Sequence, residues 1–466
     1  MVYYGNPNLN KPLHVGHMRN LCIGETISRM LEAVGAEVIR GSIESDCGIH
    51  IAKTVFAKNH LASSAQESPA KGDHGAGQYY RLFEEALEQE TTGRTSTVSD
   101  QEKSSLLEAC EEMTVRWLRG DPETREAFRT ITDAVAQGHR QTLDQVGVQF
   151  DRRFLESAAV NRIHEMVEKG LSLGVFRKNS QGAIVADLKA FNNTEPMIVR
   201  PNGIPVHLGI IAAHNAVVAE EYALHGTIGL EGSEFGDFLQ VLTWVIGLLG
   251  YQPMDGSVLV NYGMVTRGGE DVSSSKADAP LIDDVLQRIG KELSSRLPGR
   301  EAHLALGPNG ATRLALANLK FFLLLIALHR NMAYDEKRLL QIRGKCGVSL
   351  LRGAARLSEF EECPGACAGA GLNLTRSQRI LLLDMFRSPL ALDEAITKIQ
   401  PHRLAQSAYD LVRHAEVALD EGDRLADKNK ALVRTMFAAC LVILRRYLWL
   451  LNIAEVDSAL SEVDSS

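Results

Sequence analysis

The most constraining feature of the sequence is a strand, a loop, a helix and a second strand within its first 43 residues. Residues 1–4 favour a β-strand and lead into a turn-rich loop at residues 5–14. A helix is expected from about Val15 to Gly35, and a strand follows at residues 37–43. This βαβ pattern predicts a parallel sheet, with ligand chemistry at the end of the first strand.

The rest of the chain shows three different patterns. Residues 61–149 are predicted to be an insertion, mostly helical, with a polar part that we expect to be mobile. Later β-like runs alternate with helices and are expected to resume the sheet; they begin near residues 183, 197, 227 and 257. The predicted fold class is therefore α/β: a Rossmann-like parallel sheet from residues 1–60 and 150–288, followed by an all-helical domain at residues 289–466.

Composition excludes several functional classes. The 466 residues carry 50 Lys and Arg against 58 Asp and Glu, so a globally basic, DNA-coating protein is excluded. The seven cysteines have no C-x-x-C spacing, which indicates reduced thiols and no metal site. No leader sequence and no apolar run of about 18 residues is present, so we expect no membrane association and a cytoplasmic location.

The loop after the first strand contains the motif His14-Val-Gly-His17 at the start of the predicted helix. Two imidazoles beside a helix N-terminus can donate hydrogen bonds where the helix dipole also favours negative charge, so a polyphosphate fits there. The alternative is that the two histidines only cap the helix.

The residues around this motif resemble a known family. The run from Asn8 to Asn20, together with residues 39–53, is similar to the start of the catalytic domain of arginyl-tRNA synthetases, and His14 to His17 matches the "HIGH" signature of class I synthetases. The resemblance covers roughly residues 1–290 and weakens beyond them. It implies a class I synthetase-like fold with an anticodon-binding-like helical domain.

The resemblance also implies roles for individual residues. His14 and His17 would be catalytic and would stabilise the triphosphate of ATP, and Lys11 would add positive charge beside them. Asn8 would hold the amino acid near its α-carbon, and Asp46 is assigned to substrate binding. On the alternative interpretation, Lys11 is a solvated loop residue.

Several positions depart from the family pattern. Asp271 replaces the first lysine of the second class I signature, whereas Lys276 remains at its last position as a catalytic candidate; the alternative is a surface loop without catalytic duty. The three positions that hold a guanidinium in the family are changed. Four nearby acids could hold a cation differently or only be solvated: Glu220, Glu221, Glu234 and Asp237. The candidate substrate-binding residues are therefore His207, Ile211, Glu234, Phe235 and Asp237.

The parts that contact tRNA in the family differ as well. The chain begins at the catalytic strand, so we expect a divergent paralogue without the N-terminal domain that grips the tRNA elbow. Aromatic residues that contact the anticodon are depleted in the helical domain. Arginines on its helices are candidates for tRNA contact, or else belong to solvated faces: Arg352, Arg356, Arg403, Arg413 and Arg445.

Three functions are compatible with these observations. The favoured expectation is an enzyme that joins arginine from arginyl-tRNA to a second aminoacyl group, giving a cyclic dipeptide, as in fungal arginine-containing cyclodipeptide synthases; this acyltransferase needs no cofactor. The second is a genuine arginine–tRNA ligase that uses ATP and Mg²⁺. The third is an inactive tRNA-binding paralogue. All three imply tRNA as a partner, and the first two imply arginine.

Overall fold

The structure is a computed structural model, and every structural statement below concerns the residues that it describes. These are residues 1–62, 71–91, 104–189, 194–233, 238–251, 257–267, 270–271, 279–299, 304, 309–361, 374–422 and 427–453. Much of the polar segment predicted to be mobile, within residues 61–104, lies outside them.

The strands and helices alternate over the first half of the chain, and helices dominate the second half. The strands are β1 (Val2–Tyr3), β2 (Arg40–Glu44), β3 (Arg152–Leu155), β4 (Phe176–Lys178), β5 (Ile184–Ala186), β6 (Met197–Val199), β7 (Ile228–Gly232), β8 (Val258–Tyr262), β9 (Val265–Arg267), β10 (Glu270–Asp271) and β11 (Met332–Ala333). The helices are α1 (Val15–Ala33), α2 (Ile49–His60), α3 (Gly72–Thr91), α4 (Ser105–Leu118), α5 (Pro122–Val146), α6 (Glu156–Ser172), α7 (His207–Glu221), α8 (Phe238–Leu248), α9 (Ile282–Arg296), α10 (Gly310–Leu324), α11 (Glu336–Leu339), α12 (Gly347–Ser358), α13 (Arg376–Thr397), α14 (Pro401–Gly422) and α15 (Asp427–Leu450).

The chain divides into two compact units, and the first holds the predicted parallel sheet. This unit lies within Met1–Leu13 and Ile39–Asn261. Its five-stranded sheet has the order β3-β2-β1-β7-β8, and β1 pairs in parallel with both β2 and β7. The short strand β1 is the central strand, and its side chains are therefore buried on both faces of the sheet. The predicted sheet is confirmed, and its carboxyl edge follows β1 and β2.

Two of the β-like runs do not join this sheet. The runs near residues 183 and 197 form β5 and β6 of a separate three-stranded sheet, in which β5 pairs antiparallel with both β4 and β6. The expectation that they resume the parallel sheet is wrong. The connections β4–β5 and β5–β6 are too short for a crossover helix, and short connections produce antiparallel neighbours.

The predicted insertion is helical in its described part. Helices α2 to α5 pack around one apolar cluster that includes Phe83, Trp117 and Phe128. The long helix α5 begins at residues that favour a helix N-terminus. Asp121 caps it by accepting a hydrogen bond from the Thr124 amide, and Pro122 occupies the first turn. This insertion therefore has a core of its own within the first unit.

The second unit lies within His14–Val38, Tyr262–Ser273 and Asp278–Ser466 and is mostly helical. Helix α1 is anchored in it by Arg19, a buried residue whose guanidinium donates to the carbonyl oxygens of Gly263, Leu328 and Arg330. A small sheet of order β10-β9-β11 accompanies the helices. The part of residues 289–466 that the structure describes therefore contains the two-residue strand β11 besides helices, so this range is not all-helical as predicted. The predicted fold class is confirmed, whereas the predicted domain boundaries stay a prediction.

No helix in the described part of the chain is both long enough and apolar enough to span a bilayer.

Candidate active site

The two histidines of the motif form the first turn of α1. His14 is the N-cap: its Nδ1 accepts a hydrogen bond from the Gly16 amide at 3.1 Å, while Nδ1 of His17 accepts from the His14 amide at 3.1 Å. These reciprocal bonds are a capping box in which a histidine replaces the usual acid at the third position. The ring centroids lie 3.9 Å apart.

This capping fixes the tautomers of both rings. Each Nδ1 accepts a backbone N–H, so the ring proton of neutral His14 and of neutral His17 lies on Nε2. The Nε2–H groups are therefore donors placed beside the positive end of the helix dipole. The two interpretations of the motif are compatible, because capping uses Nδ1 and leaves Nε2 as a donor.

In the first unit, the loop after β1 is fastened to the end of β2. Gly5 and Asn6 have φ values of 87° and 38°, and the Asn6 side chain accepts a hydrogen bond from the Ile43 amide at 2.9 Å. The Leu9 amide donates to the Ser45 carbonyl at 2.9 Å, with a parallel bridge between Asn8 and Ser45. A non-glycine residue at positive φ costs free energy, and functional sites commonly keep such strain.

A cavity of about 520 Å³ opens beside this loop, within the first unit. Three predicted substrate-binding residues line it: Asn8, His207 and Ile211. His207 begins α7 and its ring stacks on Phe238, with centroids 5.1 Å apart; burial lowers the pKa of His207. The structure therefore brings the loop asparagine and two of the altered guanidinium positions to one cavity.

The same cavity contains a half-buried carboxylate that the sequence analysis did not select. Glu156 is the first residue of α6, and burial raises its pKa although it hydrogen-bonds to the Ser45 side chain. Glu231 and Glu111 also line the cavity, and Glu111 is partly exposed and lies 3.5 Å from Arg200. Glu156 is thus a candidate partner for a cation in the cavity.

Asp46 does not face this cavity. Its carboxylate accepts hydrogen bonds from the Ser157 amide at 2.8 Å and from the Ser157 hydroxyl at 2.5 Å, and burial raises its pKa. It lines a different cavity, together with Glu44 and Arg153. Neighbouring residues in an extended chain point to opposite sides, which places Asp46 on the far side from Ser45 and Cys47.

Lys11 lies in the loop after β1, within the first unit, and contacts residues of the insertion. Burial lowers its pKa to about 8, although the charge of Glu84 acts in the opposite direction. Its ammonium lies over the Tyr80 ring, 4.8 Å from the centroid. His139 Nε2 lies 2.8 Å from the Lys11 carbonyl oxygen, which can only accept, so the neutral imidazole donates from Nε2.

Several predicted site residues fall outside the described part of the chain. These are Glu234, Phe235, Asp237 and Lys276, so their roles stay predictions. The backbone of Asp271 is described in β10, opposite Thr266 of β9.

The five arginines proposed for tRNA contact all lie in ion pairs. Their N–O distances range from 2.5 to 3.6 Å, and the pairs are Arg352–Glu416, Arg356–Asp420, Arg403–Glu394, Arg413–Asp410 and Arg445–Glu361. A phosphate would have to compete with an acid for each guanidinium. Their contact with tRNA stays a prediction.

Comparison with known proteins decides the family. Residues 1–295 match the family model of the catalytic domain of class I tRNA synthetases of the arginyl (R) type. The chain belongs to this family. It is an aminoacyl-tRNA synthetase by descent, and the matched residues include the motif His14 to His17.

Curated relatives and solved structures agree with the family. The chain is 27% identical over 458 residues to "Arginine--tRNA ligase" of Phocaeicola vulgatus, covering 93% of this chain and 75% of the relative. It is 30% identical over 366 residues to the protein of that name from Treponema pallidum, covering 77% and 60%. The arginyl-tRNA synthetase of Thermus thermophilus superposes with a TM-score of 0.75 at 20% identity, covering 97% of this chain and 81% of that one, which shows the shared fold.

The favoured expectation of cyclic dipeptide synthesis is wrong. Relatives that align with 93% of the chain are named arginine–tRNA ligases, which supports the alternative of a ligase instead. The assignment to an acyltransferase without a cofactor has no support from these relatives either. That expectation relied on the loss of guanidinium partners at three positions, His207, Ile211 and Phe235. It did not consider the half-buried carboxylate of Glu156, which lines the same cavity as His207 and Ile211.

Proposed function

We propose that the protein is an arginine–tRNA ligase that couples ATP cleavage to esterification of tRNA. The observation that carries the proposal is the cavity lined by both Asn8 and the half-buried carboxylate of Glu156, in a chain whose relatives bear this name. A guanidinium that enters this cavity would place a positive charge beside the Glu156 carboxylate. The attraction would lower the raised pKa of Glu156 and stabilise both charged groups.

The first step would form an aminoacyl adenylate. The carboxylate of arginine attacks the α-phosphorus of ATP, which is supplied as its magnesium salt, and a C–O–P linkage forms. The bond between the α-phosphorus and the oxygen that bridges to the β-phosphate breaks, and pyrophosphate leaves. Negative charge builds up on the phosphate oxygens, where Nε2–H donors from His14 and His17 and the ammonium of Lys11 stabilise it.

The second step would transfer the amino acid to tRNA. A ribose hydroxyl at the 3′ end of tRNA attacks the carbonyl carbon of the adenylate and loses its proton to a phosphate oxygen. An ester forms, and AMP leaves with the bonding electron pair. Asn8 keeps the arginine oriented through both steps, which contributes mainly through proximity.

Two assays on the purified protein test this function. The first measures arginine-dependent exchange of labelled pyrophosphate into ATP, with and without tRNA, and the second measures labelled arginine esterified to tRNA. We expect both signals with arginine and neither with citrulline, its neutral isostere. Absence of arginine-dependent exchange and of charged tRNA, from a folded protein and with tRNA present, would reject the ligase.

The variant His17→Asn separates catalysis from folding. His17→Asn keeps a side-chain acceptor for the His14 amide but lacks an imidazole donor, so the helix cap should persist while adenylate formation falls. An unchanged exchange rate in His17→Asn would contradict the role assigned to the histidine pair.

A further inference from the structure

The first unit contains a second cavity, on the other side of β2 from the cavity already described. Its volume is also about 520 Å³, which suits a small molecule. Alternate residues of β2 and its continuation divide between the two cavities: Ile43, Ser45 and Cys47 line the first, whereas Glu44 and Asp46 line the second. One strand therefore separates two spaces of ligand size, and the proposed function uses only the first of them.

Strand β3 contributes an exposed apolar side chain to this second cavity. Leu155 is paired in register with Glu44 of β2, and it is 43% exposed. Arg153 lies two residues earlier on β3 and lines the same cavity. Ala136 of α5 adds apolar surface to the lining. A ligand that covered Leu155 would remove its exposed surface from water, so an apolar or aromatic body fits beside the Arg153 guanidinium.

The two acids of β2 in the second cavity already have partners within the protein. Glu44 is 2% exposed, and its carboxylate accepts hydrogen bonds from Nε and Nη2 of Arg153 at 2.6 and 2.9 Å. Asp46 accepts two hydrogen bonds from Ser157 in the first turn of α6, where the helix dipole also stabilises a negative charge. Neither carboxylate therefore needs a cation from a ligand.

One arginine of the lining has no such partner. Arg140 of α5 makes no hydrogen bond or ion pair with any residue that the structure describes. It lies near Glu44, because its charge and that of Arg153 both oppose the rise in the pKa of Glu44 that burial causes. Asp133, also on α5, is seven residues away, or about 10 Å along the axis. Two guanidiniums thus share the carboxylate of Glu44, which leaves one positive charge in excess.

We propose that the second cavity binds a small carboxylate that has an apolar or aromatic body. The carboxylate pairs with Arg140 and with Nη1 of Arg153, which is not used by Glu44, and the body covers Leu155.

The charge of the lining favours this ligand over more highly charged ones. A carboxylate carries one negative charge and so matches the single excess guanidinium, whereas a phosphate monoester carries close to two at neutral pH. A polyanion would bring its further charges towards Asp46 and Asp133, which also line the cavity. A cation would meet an excess of positive charge.

The experiment is a calorimetric titration of the full chain with phenylacetate, without ATP, arginine or tRNA. We expect saturable binding with one site per chain. Acetate lacks the apolar body and should bind at least about tenfold more weakly. Phenyl phosphate should bind no more tightly than phenylacetate. Phenethylamine, which has a similar shape and the opposite charge, should not bind.

Two variants test the residues assigned to the ligand. Arg140→Gln should weaken phenylacetate binding by about ten- to a hundredfold, the range for loss of a hydrogen bond between charged groups. Its melting temperature should not change, because Arg140 is exposed and unpaired in the described structure. Leu155→Ser should weaken binding by about threefold or more through lost apolar contact. Leu155 is the N-cap of α6, a position that favours serine, so this variant should fold.

Two control variants match Arg140→Gln in chemistry. Arg152→Gln removes an exposed arginine of β3 that neighbours Arg153 and does not line the second cavity. Arg200→Gln removes an arginine that lines the first cavity. Both should leave the affinity for phenylacetate within error of the unmodified protein.

Several outcomes overturn the proposal. Absence of saturable binding rejects the site, and equal binding of phenethylamine or tighter binding of phenyl phosphate rejects the assigned charge. Unchanged affinity in Arg140→Gln, or weaker binding in Arg200→Gln instead, places the probe elsewhere. Because the titration contains no substrate of the ligase, its result is independent of whether the protein charges tRNA.

Discussion

Replacing Glu156 by Gln tests the arginine pocket most directly. The substitution keeps the size and an acceptor oxygen and removes the half-buried negative charge, so the guanidinium of arginine would enter without an ionic partner. Loss of one member of a buried charge pair costs about 3–5 kcal/mol, which corresponds to roughly a hundred- to a few-thousand-fold in kcat/KM for arginine. Because glutamine still accepts a hydrogen bond, we expect the lower end of this range.

The stability of the free protein should change in the opposite direction. Burial raises the pKa of Glu156, so the fold favours its protonated form and the ionised form destabilises the protein at pH values above the unfolded pKa. Glu156→Gln removes that cost and should leave the melting temperature equal or higher. Activity that falls while stability does not is the combination expected of a binding residue.

The pH dependence supplies a second readout. Arginine binding needs the ionised carboxylate, so KM for arginine should fall as pH rises through the raised pKa of Glu156, and Glu156→Gln should lack that limb. The control is Glu111→Gln, a carboxylate of the same cavity that is 40% exposed and lies beside Arg200. A loss below about threefold in Glu156→Gln, or a larger loss in Glu111→Gln, would refute the assignment.

Three further predictions concern the loop and its supports. Exchange should decline as pH rises through about 8, where Lys11 loses its proton, and Lys11→Met should be slower and lack this decline; a decline that persists in the variant would exclude Lys11 as its source. His139→Leu should raise the KM for ATP roughly tenfold, because the Lys11 carbonyl loses its hydrogen-bond donor. His139→Gln retains a donor, so its KM for ATP should stay close to that of the unmodified protein. Arg19→Met should destabilise the second unit by about 3 kcal/mol in calorimetry, because buried carbonyl oxygens lose their donor; a loss below about 1 kcal/mol would contradict the anchoring role.

Periodicity predicted the central architecture because its elements are specified locally. The run from β1 through α1 to β2 has the pattern of a βαβ unit, and such a unit has one handed solution. The capping role of His14 could also be predicted, because an N-cap needs only neighbouring residues. Which strands pair with β5 and β6 could not be predicted, because these two short strands have the composition of strands in any sheet.

Glu156 was missed because its sequence neighbourhood resembles an ordinary helix start. An acid in the first turn of a helix is stabilised by the dipole wherever it lies, so the residue type carries no sign of a site. Only the pairing of β2 with β3 brings the start of α6 beside Ser45 and the loop that carries Asn8. The same register sends Asp46 and Ser157 to the other cavity, a distinction that a one-residue shift would reverse.

The arginines of the helical unit show the same limit at longer range. Arg352 and Arg356 pair with acids 64 positions later in the chain, on α14, so no local pattern reveals that their charge is compensated. Arg379 and Arg387 have equally ordinary neighbours in sequence, yet in the described structure their charge is uncompensated beside the exposed ring of Phe386. A compensated guanidinium must give up its acid before it gains a phosphate, whereas an uncompensated one gains the contact directly. The five paired arginines should therefore contribute less to tRNA affinity than their number in the sequence suggests.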